Sequence, residues 1–118
     1  MISMNQVKSG LTRYLDAEFA PKLPRGDLKQ NLRAGAALAW CMYAISHLET
    51  LLPEYAKKAG LDKLGAMDDA GNLDIDGLAA ALKPQIGDAG MSAELPVVGE
   101  LTVYPADLDL LVRYIKEG

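Results

Sequence analysis

The sequence is poor in the groups that carry most chemistry: it holds one Cys, one His, one Trp and one Phe. A single Cys excludes an internal disulfide framework and fits a reducing compartment. One Cys and one His fall short of the four ligands of a structural zinc site within one chain. A nucleophile–base pair on one helix sits three or four residues apart. Cys41 and His47 are six apart and point about 120° away from each other on a helix, so they read as a buried thiol and a helix-end imidazole. No Gly-rich phosphate loop, GxSxG elbow or HExxH motif occurs. No apolar run approaches the roughly 20 residues that span a bilayer. The opening MISMNQVKSG lacks the basic start, apolar centre and small-residue cleavage site of a secretory signal. There is no internal repeat, heptad seam or low-complexity tract.

What remains is a chain rich in Leu (19) and Ala (17), with half of its 118 residues apolar. That length fits one domain, and neither Leu nor Ala loses much freedom in a helix. The expected fold is α+β and mainly α: a helical bundle around a long central apolar helix, with a small antiparallel sheet in the C-terminal half. Residues 1–65 form the helical part and residues 66–118 a hairpin–helix–hairpin–helix part.

Ser3 and Gln6 predict a capping box, Ile2 and Val7 a hydrophobic staple. Met4, Val7, Leu11, Tyr14 and Leu15 mark one buried stripe of the first helix, which Gly10 weakens slightly and which ends before Pro21. Asp27 predicts the cap of a second helix running to about Leu52, where Pro53 intervenes and opens a third that Gly60 interrupts or caps. The stretch Ala34–Leu48 carries no charge if His47 is neutral. Leu38, Met42, Ile45 and Leu48 form one stripe on it; Ala36, Trp40, Tyr43 and His47 form another. A helix apolar on more than one face is either a core helix or a contact between subunits. Ala36, Trp40, Tyr43 and His47 are therefore the candidate interface, since aromatics dominate interface hot spots. Gly35 and Ala39 provide a small-xxx-small step that permits close helix approach. As a membrane-lying segment this stretch is short and lacks a strong basic face.

Asp68–Asn72 predicts a three-residue hairpin loop, with Gly71 in the left-handed conformation between short strands near Ala66–Met67 and Leu73–Ile75. Asp76 caps a short Ala-rich helix that ends before Pro84, and Pro84–Gly90 is a loop. A second hairpin pairs Ala93–Val98 with Leu101–Tyr104 through a turn at Gly99–Glu100, and Pro96 confines its strand to an edge or a bulge. Pro105 opens the last helix, whose stripe is Leu108, Leu111, Val112 and Ile115, with Asp107 and Asp109 near its positive end.

The acids Asp68, Asp69, Asp74 and Asp76, with Asn72, resemble the back half of a calcium-binding EF-hand loop. Aligning Gly71 with that loop's glycine puts Ala66 first and Gly77 twelfth, where Asp and a bidentate Glu belong. Two chief ligands are missing, and the turn-and-cap reading accounts for the same residues. No metal, cofactor or catalytic residue is expected. Charge is uneven: residues 1–33 hold six Lys/Arg against three acids, residues 34–118 six against thirteen. Such asymmetry lets the head of one copy attract the body of another. A second reading uses Lys8, Arg13, Lys22, Arg25, Lys29 and Arg33 to hold nucleic acid in a small regulatory or accessory protein, although a pI near 4.9 argues against a duplex footprint.

Taken in order, NQVKSGLTRYLDAEFAPKLP, the Ala-rich helix, DDAGNLDIDGL and ELPVVGELTVYPADLDLLVRYI give a layout that resembles small uncharacterised proteins encoded in phage and prophage regions of Gram-positive bacteria. The resemblance covers most of the chain. It implies a non-enzymatic role in virion assembly, or as a phage accessory protein, in the bacterial cytoplasm or the virion. The partners it implies are the protein itself as a homo-oligomer, another phage protein, or both. It implies no catalytic residues.

Overall fold

The computed structural model describes residues 1–58, 67–68, 71–95 and 99–117. Among the described residues, five α-helices and a two-stranded antiparallel sheet make the fold α+β and mainly α. Helix α1 spans Met4–Tyr14, α2 Leu28–Ser46, α3 Leu48–Lys58, α4 Ile75–Ile86 and α5 Pro105–Glu117. Strand β1 is Met91–Leu95 and β2 is Gly99–Val103.

Ser3 caps α1, its hydroxyl accepting from the Gln6 amide at 3.2 Å. Gln6 does not reach back to Ser3 as a capping box would; its side-chain amide donates to the Ile115 carbonyl at 3.1 Å. Beyond α1 the chain widens into a π-helical turn, Leu15–Phe19, and tightens into a 3₁₀ turn, Ala20–Lys22, which takes in Pro21. The core joins Val7, Leu73, Ile75 and Ile115, with Ile2, Leu11, Leu52 and Val112 packed against it. Helices α1 and α5 are the pair that packs most closely. A Cβ on Gly10 would stand 2.4 Å from the Ile115 Cα, so glycine is what lets the two backbones meet. Leu108 and Ile115 of α5 are buried and Leu111 and Val112 half-buried, along the anticipated stripe.

The second helix departs from expectation in two ways. It stops at Ser46 instead of continuing to Leu52: His47 leaves the helical region (φ −110°, ψ 22°) and its carbonyl accepts from the Thr50 and Leu51 amides, which starts α3 afresh. Pro53 therefore lies inside α3, where it costs one backbone hydrogen bond, and does not open that helix. Gly60 lies outside the described residues. Nor is α2 the centre of a bundle. Only Ala34 and Ala37 of its 19 residues are buried, and the core forms beside it, between α1, α5 and the segment Leu73–Ile75. Asp27 caps α2 as its sequence indicates, accepting from the Gln30 amide at 2.7 Å.

The Asp–Gly turn forms. The Asp68 amide donates to the Asn72 carbonyl at 3.0 Å, Met67 bridges to Leu73, and Gly71 takes φ 84°. Leu73 also exchanges two backbone hydrogen bonds with Ile2, at 2.7 and 2.8 Å, which ties the N-terminus to the middle of the chain. The second strand is Leu73 alone, because the helix begins at Ile75. Asp74, not Asp76, caps α4 by accepting from the Gly77 amide at 3.1 Å. That helix runs past Pro84 to Ile86, whose side chain is buried. The final hairpin is shifted from the anticipated register: Met91 faces Val103 and Leu95 faces Gly99. Gly99 and Glu100 are thus in β2 and not in the turn; Pro96 lies outside the described residues.

The molecule is elongated, 46 × 29 × 24 Å with a radius of gyration of 14.6 Å. A compact domain of this length has about 13.5 Å. Among the described residues, no helix is long and apolar enough to cross a membrane.

Candidate interaction surface

The outer side of α2 is the most unusual surface of the molecule. Leu28 is 75% exposed, Leu32 64%, Tyr43 60%, Met42 59% and Trp40 48%. Helical spacing explains the arrangement. At 3.6 residues per turn, Leu28, Leu32, Gly35, Ala39, Met42 and Tyr43 fall on one stripe, while Ala34, Ala37 and Cys41 fall on the opposite, inner side. Burial follows that division: Ala34 and Ala37 are buried and Cys41 half-buried, where desolvation raises its thiol above the ordinary pKa. Gly35 and Ala39 form a shallow dip between the larger side chains, since a Cβ on Gly35 would meet nothing within 4 Å.

Of the residues singled out from sequence, Trp40, Tyr43 and His47 are exposed and Ala36 is half-buried. They line one flank of the stripe. The rings of Tyr43 and His47 lie together, centroids 4.5 Å apart. Leu28 and Leu32 were not singled out from sequence, and Met42 was placed on the other stripe. Leu28 and Leu32 stand among polar neighbours in the first turns, and Met42 shares a stripe with Leu38, Ile45 and Leu48, which are half-buried. The available signal was the i, i+4, i+7 spacing of Leu28, Leu32, Gly35 and Ala39, which marks a face distinct from that of Leu38 and Ile45.

Electrostatics distinguish the two ends of this helix. Its start carries Lys29 and Arg33, follows Arg25, and has the positive end of the helix dipole. Its last turn holds no basic residue, and Glu49 lies three residues beyond its end, in the first turn of α3. Glu49 pairs with Lys8 at 2.5 Å, and the hydrogen bond from Lys8 holds its carboxyl below the ordinary range. Lys8 also donates to the Ser46 carbonyl, and Arg13 to the Tyr114 carbonyl at 2.7 Å. Two of the six N-terminal cations are thus engaged within the fold, so the six do not form one free basic patch.

A second concavity, about 330 Å³, opens between the π-helical turn and the start of α5, lined by Tyr14, Phe19, Lys22, Val103 and Leu111 among others. Its acids have partners in the protein. Glu18 accepts from the Tyr114 hydroxyl at 2.8 Å, and Asp107 from the Tyr104 amide at 2.9 Å. Tyr14 packs edge-on against Tyr114. Burial first, then the charges of Asp107 and Glu18, raise the Tyr14 pKa; the hydrogen bond to Glu18 raises that of Tyr114. Tyr14 and Tyr114 join α1 to α5, and Glu18 joins the π-helical turn to α5.

The acids that suggested an EF-hand are distributed among structural roles. Both carboxylate oxygens of Asp68 accept from Asn72, Asp74 caps α4, and Asp76 pairs with Lys116 at 2.6 Å. Asp69 lies outside the described residues. Among the described residues, no three His, Cys, Asp or Glu gather closely enough to hold a metal ion. Set against known proteins, the chain matches no family model, no curated protein and no solved structure.

Proposed function

We propose that the chain is a non-enzymatic interaction protein that associates with copies of itself through the outer side of α2. The observation that carries this reading is the set of large apolar side chains, Leu28, Leu32, Trp40, Met42 and Tyr43, left in water on the outer side of one helix. Monomers rarely expose apolar surface in one patch unless something covers it. Aromatic and Met side chains are the types enriched at interface cores. In the phage or prophage setting that the sequence layout resembles, the role is structural or in assembly, with the protein itself or another phage protein as the partner.

The experiment is mass determination in solution on the wild type and on the Trp40→Ala, Met42→Ala and Tyr43→Ala proteins. The reading expects an oligomer that each substitution weakens while the fold, followed by circular dichroism, persists. A monomer at every concentration removes self-association. Steeply salt-dependent binding to DNA or RNA would move the function to the basic N-terminal segment instead.

A further inference from the structure

We infer that two copies make a second, charged contact about a two-fold axis, in which the basic cluster before and at the start of α2 of each copy takes the acidic face of the other's hairpin. This contact does not rest on the outer side of α2. Lys29 and Arg33 each follow one of the exposed leucines and so stand about 100° round the helix from them.

The basic half is Lys22 at the end of the 3₁₀ turn, Arg25 in the loop, and Lys29 and Arg33 in the first turns of α2. All four are exposed, and none has an ion-pair or hydrogen-bond partner among the described residues. Asp27, the one acid between them, is occupied at the helix cap. Lys22, Arg25 and Arg33 each line a hollow that Leu23 also lines, so these cations surround one loop.

The acidic half is the hairpin. From residue 84 to residue 112 the sequence holds five acids and no Lys or Arg. Glu94 faces Glu100 across the strands, both exposed, on the face where Ser92 meets Thr102. Like charges directly opposite each other oppose pairing, and no described cation bridges these two. A guanidinium, with its planar fork of donors, suits such a pair of carboxylates.

The two halves adjoin without pairing within the chain. Lys22 and Thr102 line the same concavity, and Glu100 lies two residues along the same strand face, about 7 Å from Thr102. The other acids there, Glu18 and Asp107, accept from the Tyr114 hydroxyl and the Tyr104 amide. Neighbouring patches of opposite sign are self-complementary: a two-fold rotation sets each against its opposite on the second copy. The same neighbourhood argues against nucleic acid, because acids beside the cations repel phosphates while they complete a contact between copies.

The test is mass in solution at low and high salt on the wild type, on the double substitution Arg25→Glu with Arg33→Glu, and on Glu94→Lys with Glu100→Lys. All four positions are exposed, and Lys facing Lys keeps the hairpin's like-charge pair, so circular dichroism should show the fold intact. The wild type should associate at low salt and loosen as the screening length falls from about 30 Å at 0.01 M to about 3 Å at 1 M. Each double substitution alone should raise the low-salt dissociation constant by a factor on the order of ten or more. Mixing the two proteins should restore association, since each carries the charge that the other's reversed patch requires. Substituted proteins that keep the wild-type mass at low salt overturn the contact, and so does a mixture no heavier than its components. Either result leaves self-association through the outer side of α2 standing, because that side is intact in every variant. A wild type that is monomeric at low salt overturns both, and if it binds a single-stranded DNA oligonucleotide there, the cluster belongs to nucleic acid instead.

Discussion

Gly10 shows how one residue sets the geometry of this molecule. In an isolated helix, replacing it with Ala would gain about 1 kcal/mol of helix propensity. Here the added methyl meets the Ile115 backbone, which cannot move aside as a flexible side chain would. Gly10→Ala is therefore expected to destabilise the fold, with the overpacking cost of about 1–3 kcal/mol opposing and exceeding the propensity gain. Chemical denaturation measures it. Gly35→Ala is the matched control: with open space over Gly35, the monomer should gain most of the propensity term. The sequence marks both glycines as small, but the contact that separates them joins positions 105 residues apart. Tyr14 and Tyr114 give a pH signature at the same seam. Both have raised pKa values, so the folded state holds their protons more tightly than the unfolded chain does. Stability from this source is complete below the ordinary tyrosine pKa of about 10 and is lost as pH rises through the raised values. Melting temperature should therefore fall above that pH, and Tyr114→Phe, which keeps the ring but lacks the titrating hydroxyl, should flatten the fall.

At the scale of elements, local chemistry explains most of what forms. Ser3, Asp27, Asp74 and Asp107 each accept a backbone amide at a helix start, and Asp74→Ala should cost about 1 kcal/mol by removing such a cap. Three of these helix starts, at Ser3, Asp27 and Pro105, and the Asp–Gly turn were legible in the sequence, because the interactions concerned span four residues or fewer. The choice of Asp74 over Asp76 was not. It depends on Leu73 being held by Ile2 and Met67, which fixes where the extended chain ends, while Asp76 is drawn to Lys116. The break at His47 was equally hidden, since Ala34–Leu48 holds no proline to mark it, and Leu48 and Leu52 of α3 pack against a core built from distant segments. In the hairpin, Ser92 and Thr102 join their hydroxyls at 2.9 Å, but Glu94 and Glu100 stand directly opposite each other. Like charges so placed oppose pairing, and Glu100→Lys should strengthen the hairpin by roughly 0.2–1 kcal/mol. Amide exchange at Ser92 and Thr102 would register the change.

For the whole molecule, the core lies to one side of its longest helix. Val7, Leu73, Ile75 and Ile115 gather segments from both ends and the middle of the chain, while α2 buries only two alanines and turns its largest side chains outward. An apolar helix of this composition reads the same whether its own fold or a second copy covers it, which is why the sequence alone left core and interface undivided. The position of α2 outside the core favours the second. Absolute mass by light scattering, across concentration and salt, tests this most directly. The account predicts a multiple of the chain mass of 12.6 kDa at accessible concentrations, falling toward that mass on dilution and in the Met42→Ala and Tyr43→Ala proteins. A mass of 12.6 kDa under every condition, with wild-type and substituted proteins alike, would contradict it.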